Sequence, residues 1–335
     1  VALIVDRGHG EALTFEAHPA EVSVLAAGAP VVRDPDERAP ANFSLAAGGG
    51  LADLQQRGGT QVLKMNFTKE GVSFEATLTS PEPWDASGDG PEGWAGRLPL
   101  VGLHWFVYSL RSSASFRLTA PGVGTIAGTG GAHQEKNWGA AFPRSWVWAE
   151  ALGAGGARLA LAGGPTSLGP ITVPNLFLVG YRSARLDWSF HPQDPSRFSQ
   201  AMNACAGTLE MTAVGAGRML KITLKVDPSS GGGLFTVGGP TRSGFRADSV
   251  ESYRANVTVE AYSGLFHERL EERVELAAGA LEFGGDARCR SGIAADAPAR
   301  TSFPVLGSRL GTDGGDRRSS TRNFTKRAFD SDIFV

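Results

Sequence analysis

Residues 219–226 read MLKITLKV. Leu220, Ile222, Leu224 and Val226 fall on one side of that stretch, and Lys221, Thr223 and Lys225 on the other. Alternation with period two, in aliphatic and β-branched residues, marks a half-buried strand; a helix would repeat its apolar positions at three and four. The same alternation appears in GVSFEATLTS (71–80), HWFVYSL (104–110), ARLALAGG (157–164), NLFLVGY (175–181) and RLDWSFH (185–191). It continues through GTLEMTAV (207–214), RANVTVEAY (254–262) and ERVELAAGALEF (272–283). Gly, Pro, Asp and Ser bound these runs, which is the spacing of an antiparallel meander. Helical signal is confined to LADLQQRG (51–58) and SRFSQAMNACA (196–206). The expected class is all-β: antiparallel barrel or sandwich modules with few helices.

At 335 residues the chain can form one large or two medium cores. GWAGRLPLVG (93–102) breaks the strand pattern, which restarts at His104. This places a division near residue 100, with an N-terminal β module over 1–100 and a β-barrel module over 101–290. The first module begins in mid-strand at VALIV, which suggests that a preceding part is missing. Residues 291–335 form a polar tail rich in Gly, Ser and Arg. Such a composition buries too little surface to offset its ordering entropy, so a disordered or loosely docked extension is expected, with a protein partner as its alternative use.

A net charge of −2 supplies no field for nucleic acid. No apolar run approaches the ~18 residues of a membrane helix, so any membrane contact would be peripheral. Cys205 and Cys289 are the two cysteines. One bridge between them is allowed, but two separate buried thiols is the favoured reading, and neither has a partner at metal-ligand spacing. Four of seven Asn stand in Asn-x-Ser/Thr sequons, at Asn42, Asn66, Asn256 and Asn323, and as glycosylation sites they would imply the secretory pathway.

No nucleophile elbow, zinc-protease helix, phosphate loop or CxxC motif is present. PWDASGDGPEG (83–93) sets Asp85, Ser87 and Asp89 at alternate positions like the opening of a calcium loop, but position twelve is Gly96 rather than Glu, so a polar turn is expected. The chemistry then falls on EKNWGAAFPRSWVW (135–148), which holds three of the seven Trp. Trp146 and Trp148 share a strand face, and a barrel's inner wall is the expected place for them. Their indole N–H groups need partners; Glu135, Asn137 and Arg144 are at hand to meet those needs or to face a ligand. His104, Phe106 and Tyr108 share a second face. Glu251 and Tyr253 share a third, together with Ala255 and Val257. A carboxyl buried among aromatics is a proton donor by its surroundings. The same residues also suit a structural corner, and both readings stay open.

Together, GWAGRLPLVGLHWFVYSL (93–110), EKNWGAAFPRSWVWAEA (135–151), ADSVESYRANVTVEAY (247–262) and ERLEERVELAAGALEFGG (268–285) resemble the tocopherol cyclase family over about residues 93–290. The family's opening Phe-Phe-Glu-Gly-Trp-Tyr type of strand has no counterpart here. Where family members carry Cys, this chain has Ala247 and Val250. The resemblance implies two lipocalin-like β-barrel modules with an apolar cavity for a prenylated quinol. It implies a cofactor-free lyase or isomerase reaction of the kind used in vitamin E biosynthesis, in which an acid protonates the prenyl alkene and the phenol oxygen closes a chromanol ring. Glu135 or Glu251 would be the acid, Trp138, Trp146 and Trp148 the cation-stabilising wall, and His104, Asn137 and Tyr253 the groups that orient the phenol. Plastid lipid particles would be the setting, against the secretory route that the sequons imply. A non-catalytic binder of a hydrophobic ligand, or a structural subunit, is the alternative.

Overall fold

The computed structural model describes residues 2–6, 11–15, 43–47, 50–67, 71–98, 103–122, 124–139, 142–153, 155–168, 171–226, 234–241, 244–289 and 330–334. Two large sheets account for nearly all of them, and the expected all-β class of two antiparallel modules holds. The first sheet comprises β1 (Ala2–Asp6), β2 (Glu11–Phe15), β3 (Phe43–Ala47), β4 (Gly50–Arg57), β5 (Thr60–Phe67), β6 (Val72–Glu82), β7 (Leu103–Ala120), β8 (Gly124–Gly139) and β19 (Asp330–Phe334). Their order is β2-β1-β19-β8-β7-β6-β5-β4-β3. Every pairing is antiparallel except β19 with β8.

The second sheet comprises β9 (Ser145–Leu152), β10 (Arg158–Leu168), β11 (Ile171–Arg182), β12 (Asp187–Phe190), β13 (Arg197–Asn203), β14 (Thr208–Gly215), β15 (Arg218–Val226), β16 (Phe235–Thr241), β17 (Gly244–Ser263) and β18 (Arg269–Gly285). Its order is β12-β11-β10-β9-β18-β17-β15-β14-β13, with β16 also on β17. The sheet curls until its ends meet. Asn175 Nδ2 on β11 donates to the Phe198 carbonyl on β13 at 3.1 Å, and Phe198 packs 5.9 Å from Phe177 and 6.5 Å from Phe190. β15 sends Leu220, Ile222, Leu224 and Val226 into the enclosed core. Val147, Ala149, Leu159, Leu161, Val257, Val259, Leu281 and Phe283 meet them there.

Several expectations change. LADLQQRG lies in strand β4, and residues 197–203 of SRFSQAMNACA form strand β13. Ala, Leu and Gln favour a helix only weakly, and ladders on neighbouring strands outweigh that preference. The connection at 93–102 contains a 3₁₀ turn over Gly93–Arg97, but it joins β6 to β7 within one sheet. The chain passes from one sheet to the other between Gly139 and Ser145, not near residue 100. Most of the polar tail lies outside the described residues, yet Asp330–Phe334 pairs with both β8 and β1.

Cys205 and Cys289 are bonded to each other, with Cα atoms 4.8 Å apart, and are not separate thiols. A sequence separation of 84 hid that proximity. The turn at 83–93 is the expected polar turn. Asp85 Oδ1 accepts from Ser87 Oγ at 2.7 Å and from the Gly88 amide at 2.9 Å.

The sheets meet where β7 is buried on both sides. Trp105, Val107 and Leu110 of β7 pack with Trp84, Ala160, Trp148 and Leu178. Trp84 is 1% exposed, stands edge-on to Trp105 at 5.5 Å and fills the space above Gly180, where a Cβ would come within 2.7 Å of the indole. Arg182 of β11 donates to the carbonyls of Pro83 and Trp84, both at 3.2 Å, and Arg158 of β10 pairs with Glu82 of β6.

Candidate functional site

Trp146 and Trp148 do not line the interior of the barrel. Alternation fixes only that they oppose Val147 and Ala149, and it is Val147 and Ala149 that enter the core. Pairing carries the Trp face across the sheet, because Trp148 stands opposite Glu282 and Glu282 stands opposite Glu251. Glu150, two residues after Trp148, lies on the same face of β9. The outer surface of the curled sheet therefore gathers two indoles and three carboxyl groups, and near Trp148 the first sheet covers it.

Glu135, on β8 of the first sheet, joins the two layers. Its Oε2 accepts from Trp105 Nε1 at 2.8 Å and from Trp148 Nε1 at 3.0 Å, and lies 3.1 Å from His133 Nε2. Of the two indoles read from the sequence, Trp148 is thus served by Glu135 and Trp146 by Glu282. Asn137 is exposed, and Arg144 points outward to Asp286. On its other side His133 places Nδ1 3.2 Å from Glu150 Oε2 and 3.4 Å from the Leu110 carbonyl oxygen. Two β-bulges in β7, opposite Gln134 and its neighbours, aim this part of β8.

Glu251 is buried, as is Tyr253, whose hydroxyl hydrogen-bonds it. Burial pushes the Tyr253 hydroxyl well above its ordinary pKa, and the charges of Glu251, Glu282 and Glu150 push it further. Trp146 Nε1 donates to Glu282 Oε1 at 3.1 Å. Ala255 and Val257 do not share this face, because a step of three along β17, from Ser252 to Ala255, spans a step of two along β18, from Leu281 to Gly279. That extra residue turns Ala255 and Val257 into the barrel core, while Glu251 and Tyr253 stay outside it.

His104 lies at the margin. Its Nδ1 sits 2.8 Å from Glu92 Oε2, and Glu92 Oε1 accepts from the Trp105 amide at 2.8 Å. The side chain of Trp138 lies outside the described residues, as do Asn42 and Asn323, whereas Asn66 and Asn256 are exposed on β5 and β17. Among the described residues no group of three or more His, Cys, Asp or Glu could hold a metal ion.

The profile of the tocopherol cyclase-like family matches residues 8–285. The chain belongs to that family. Membership extends the likeness read from the motifs back through the first sheet, to within a few residues of Val1. Among solved structures, a protein from Nitrosomonas europaea described as a candidate AttH is similar at 12% identity, over 77% of this chain and 75% of its own, with a TM-score of 0.41. No curated protein matches.

For this member of the tocopherol cyclase-like family, sequence reading found Glu135, Glu251, Tyr253, Trp146 and Trp148. It missed His133, Glu150, Glu282, Glu92, Trp84 and Trp105. Glu150 was within reach, as the third position of the Trp146–Trp148 face. Glu282 was not, because Leu281 and Phe283 point inward and make it look like any solvent-facing Glu until strand register is known.

Proposed function

We propose that this protein is an acid catalyst that closes a chromanol ring in a prenylated benzoquinol. One observation carries the reading: Glu251 stands opposite Glu282, Glu150 shares their face of the sheet, and Glu150 and Glu251 are almost wholly buried. Carboxyl groups crowded in a buried space resist ionising together, which favours keeping one of them protonated. A carboxylic acid kept neutral in this way is what protonation of an unactivated alkene requires. The indoles beside it offer π faces to the tertiary cation that results, and a covered joint limits capture of that cation by water. Glu135 differs in kind. Its Oε2 is already held by two indole N–H groups and stands 3.1 Å from His133 Nε2, which fixes it in the seam, so of the two acids expected from the sequence Glu251 is the one proposed.

The protein is incubated with a phytylated benzoquinol and chromanol is measured. The expected result is product from the wild type and at least a ~100-fold loss of kcat in Glu251→Gln. A wild type that makes no chromanol overturns the reading. A second reading, binding without turnover, is favoured by the saturation of Glu135, since such a joint also suits a structural seam. Quenching of Trp fluorescence by the quinol without product would establish it.

The secretory route is proposed over the plastid. The Cys205–Cys289 bond and the exposed sequons at Asn66 and Asn256 support it. A lipid-borne substrate also implies contact with a lipid surface, and Leu265 and Phe266, in the turn between β17 and β18, are 81% and 83% exposed.

A further inference from the structure

Residues 264–268 join β17 to β18, and their chemistry is unusual for a hairpin connection. Gly, Asn, Asp and Ser serve such turns because they accept the backbone and sit comfortably in water. Here Leu265 and Phe266 occupy the turn. They are the two most exposed large apolar side chains among the described residues, and Leu270, at the start of β18, is 51% exposed as well.

The turn is constructed to keep them outward. The Gly264 amide donates to the Gly217 carbonyl and the His267 amide to the Gly264 carbonyl, both at 3.2 Å. The Phe266 amide donates to Glu268 Oε2 at 3.0 Å, and His267 Nε2 lies 3.4 Å from the Gly215 carbonyl oxygen. These bonds maintain a φ of 57° at His267, a left-handed conformation uncommon outside Gly. A loose turn could fold its Leu and Phe back onto the barrel. This one holds them in water, so their burial is gained only against something outside the chain.

The charges at the base of the turn narrow what that is. Arg269 and Arg185 share one carboxylate, that of Glu271, at 2.6 Å and 3.7 Å. The two arginine side chains are 73% and 62% exposed, whereas that of Glu271 is 15% exposed. Two guanidinium groups therefore stand outside the anion that they share. With Glu268, the four charges cancel. A neutral tip, with a Leu-Phe pair projecting among outward guanidinium groups, matches apolar chains lying beneath a layer of phosphates. A two-fold contact between copies would instead bring the same guanidinium groups together.

We infer that the β17–β18 turn docks on a phospholipid bilayer. Leu265 and Phe266 enter the acyl region, and Arg185 and Arg269 contact head-group phosphates. The turn lies at the opposite end of β17 from Glu251, so it anchors the protein and does not admit substrate to that carboxyl. The inference stands apart from the cyclase reading, because a binder without turnover would dock in the same way.

The full chain is mixed with vesicles of dioleoylphosphatidylcholine, and the bound fraction is measured by sedimentation. The wild type should bind. Leu265→Ser with Phe266→Ser should bind at least ~100-fold more weakly, at about tenfold for each apolar side chain withdrawn, with the urea midpoint unchanged. Binding should survive ~1 M salt, where charges are screened beyond ~3 Å, because insertion carries it. Phe266→Trp locates the contact: its added fluorescence should be quenched by phosphatidylcholine brominated on the acyl chains.

A wild type that ignores the vesicles, a serine variant that binds as well, binding abolished by salt, or an added Trp that escapes quenching overturns the inference. A wild type that ignores vesicles yet dimerises through Leu265 and Phe266 overturns it in favour of a second copy. No arm measures turnover. An inactive protein that docks sinks the cyclase reading alone, and an active one that does not dock sinks the docking alone.

Discussion

Tyr253 shows how one side chain connects the site to stability. In an unfolded chain a tyrosine loses its proton near pH ~10. In the folded protein burial and the charge of Glu251 hold that proton to higher pH. Above pH ~10 the unfolded state therefore binds fewer protons than the folded one, and stability falls as pH rises, until the folded hydroxyl itself ionises. The contribution is complete below pH ~10. Urea midpoints measured from pH 8 to 11 should stay level and then decline, and Tyr253→Phe should flatten the decline. An unaltered slope in the variant would mean that the hydroxyl is not held as described. Glu135 makes a related point about legibility. A Glu beside two Trp in sequence was read as one of their acceptors, and it is one, for Trp148 and for Trp105 thirty residues away.

At the level of the element, what could be read from the sequence is periodicity, and what could not is register. The runs at 219–226, 71–80 and 207–214 lie in strands with the faces that their alternation assigns. Ala255 and Val257 were assigned to the wrong face because the bulge at 252–255 leaves no mark in the residue pattern; it exists only relative to β18. The placing of Trp146 and Trp148 failed for the same reason. Two faces of a strand are distinguishable in sequence, but which of them meets a core depends on residues paired from far along the chain.

Register also creates a close fit that can be tested. Gly284 stands opposite Trp146, and a Cβ at position 284 would fall 1.8 Å from an indole carbon. Gly284→Ala must displace that indole and with it the hydrogen bond to Glu282. A cost of about 1–3 kcal/mol is expected, with a change in Trp emission. An emission spectrum and a thermal midpoint both identical to the wild type would place the Trp146 ring elsewhere.

Over the whole molecule, the curled second sheet is closed by packing and by a covalent link, and the link governs how the protein must be handled. Cys205 sits in the turn between β13 and β14, at one end of the strand order, while Cys289 follows β18, near its middle. The bond therefore ties the far edge of the sheet to the strand that carries Glu282. It closes a loop of 84 residues, and in the chain-entropy account a loop of that size removes enough freedom from the unfolded state to contribute about 4–5 kcal/mol. That is a large share of the stability of an ordinary domain. Cys205→Ser with Cys289→Ser, or reduction of the wild type, should lower the urea midpoint by an amount corresponding to several kcal/mol, while substitution of either cysteine alone should do the same and leave a reactive thiol. The hydrogen bonds around Glu135 are made without the bond, so the reduced protein should keep its indole environment at low denaturant and lose it at the earlier midpoint. A reduced protein as resistant to urea as the oxidised one would show that the edge strands are held by the core alone, and that the bond merely records the compartment in which the chain folded.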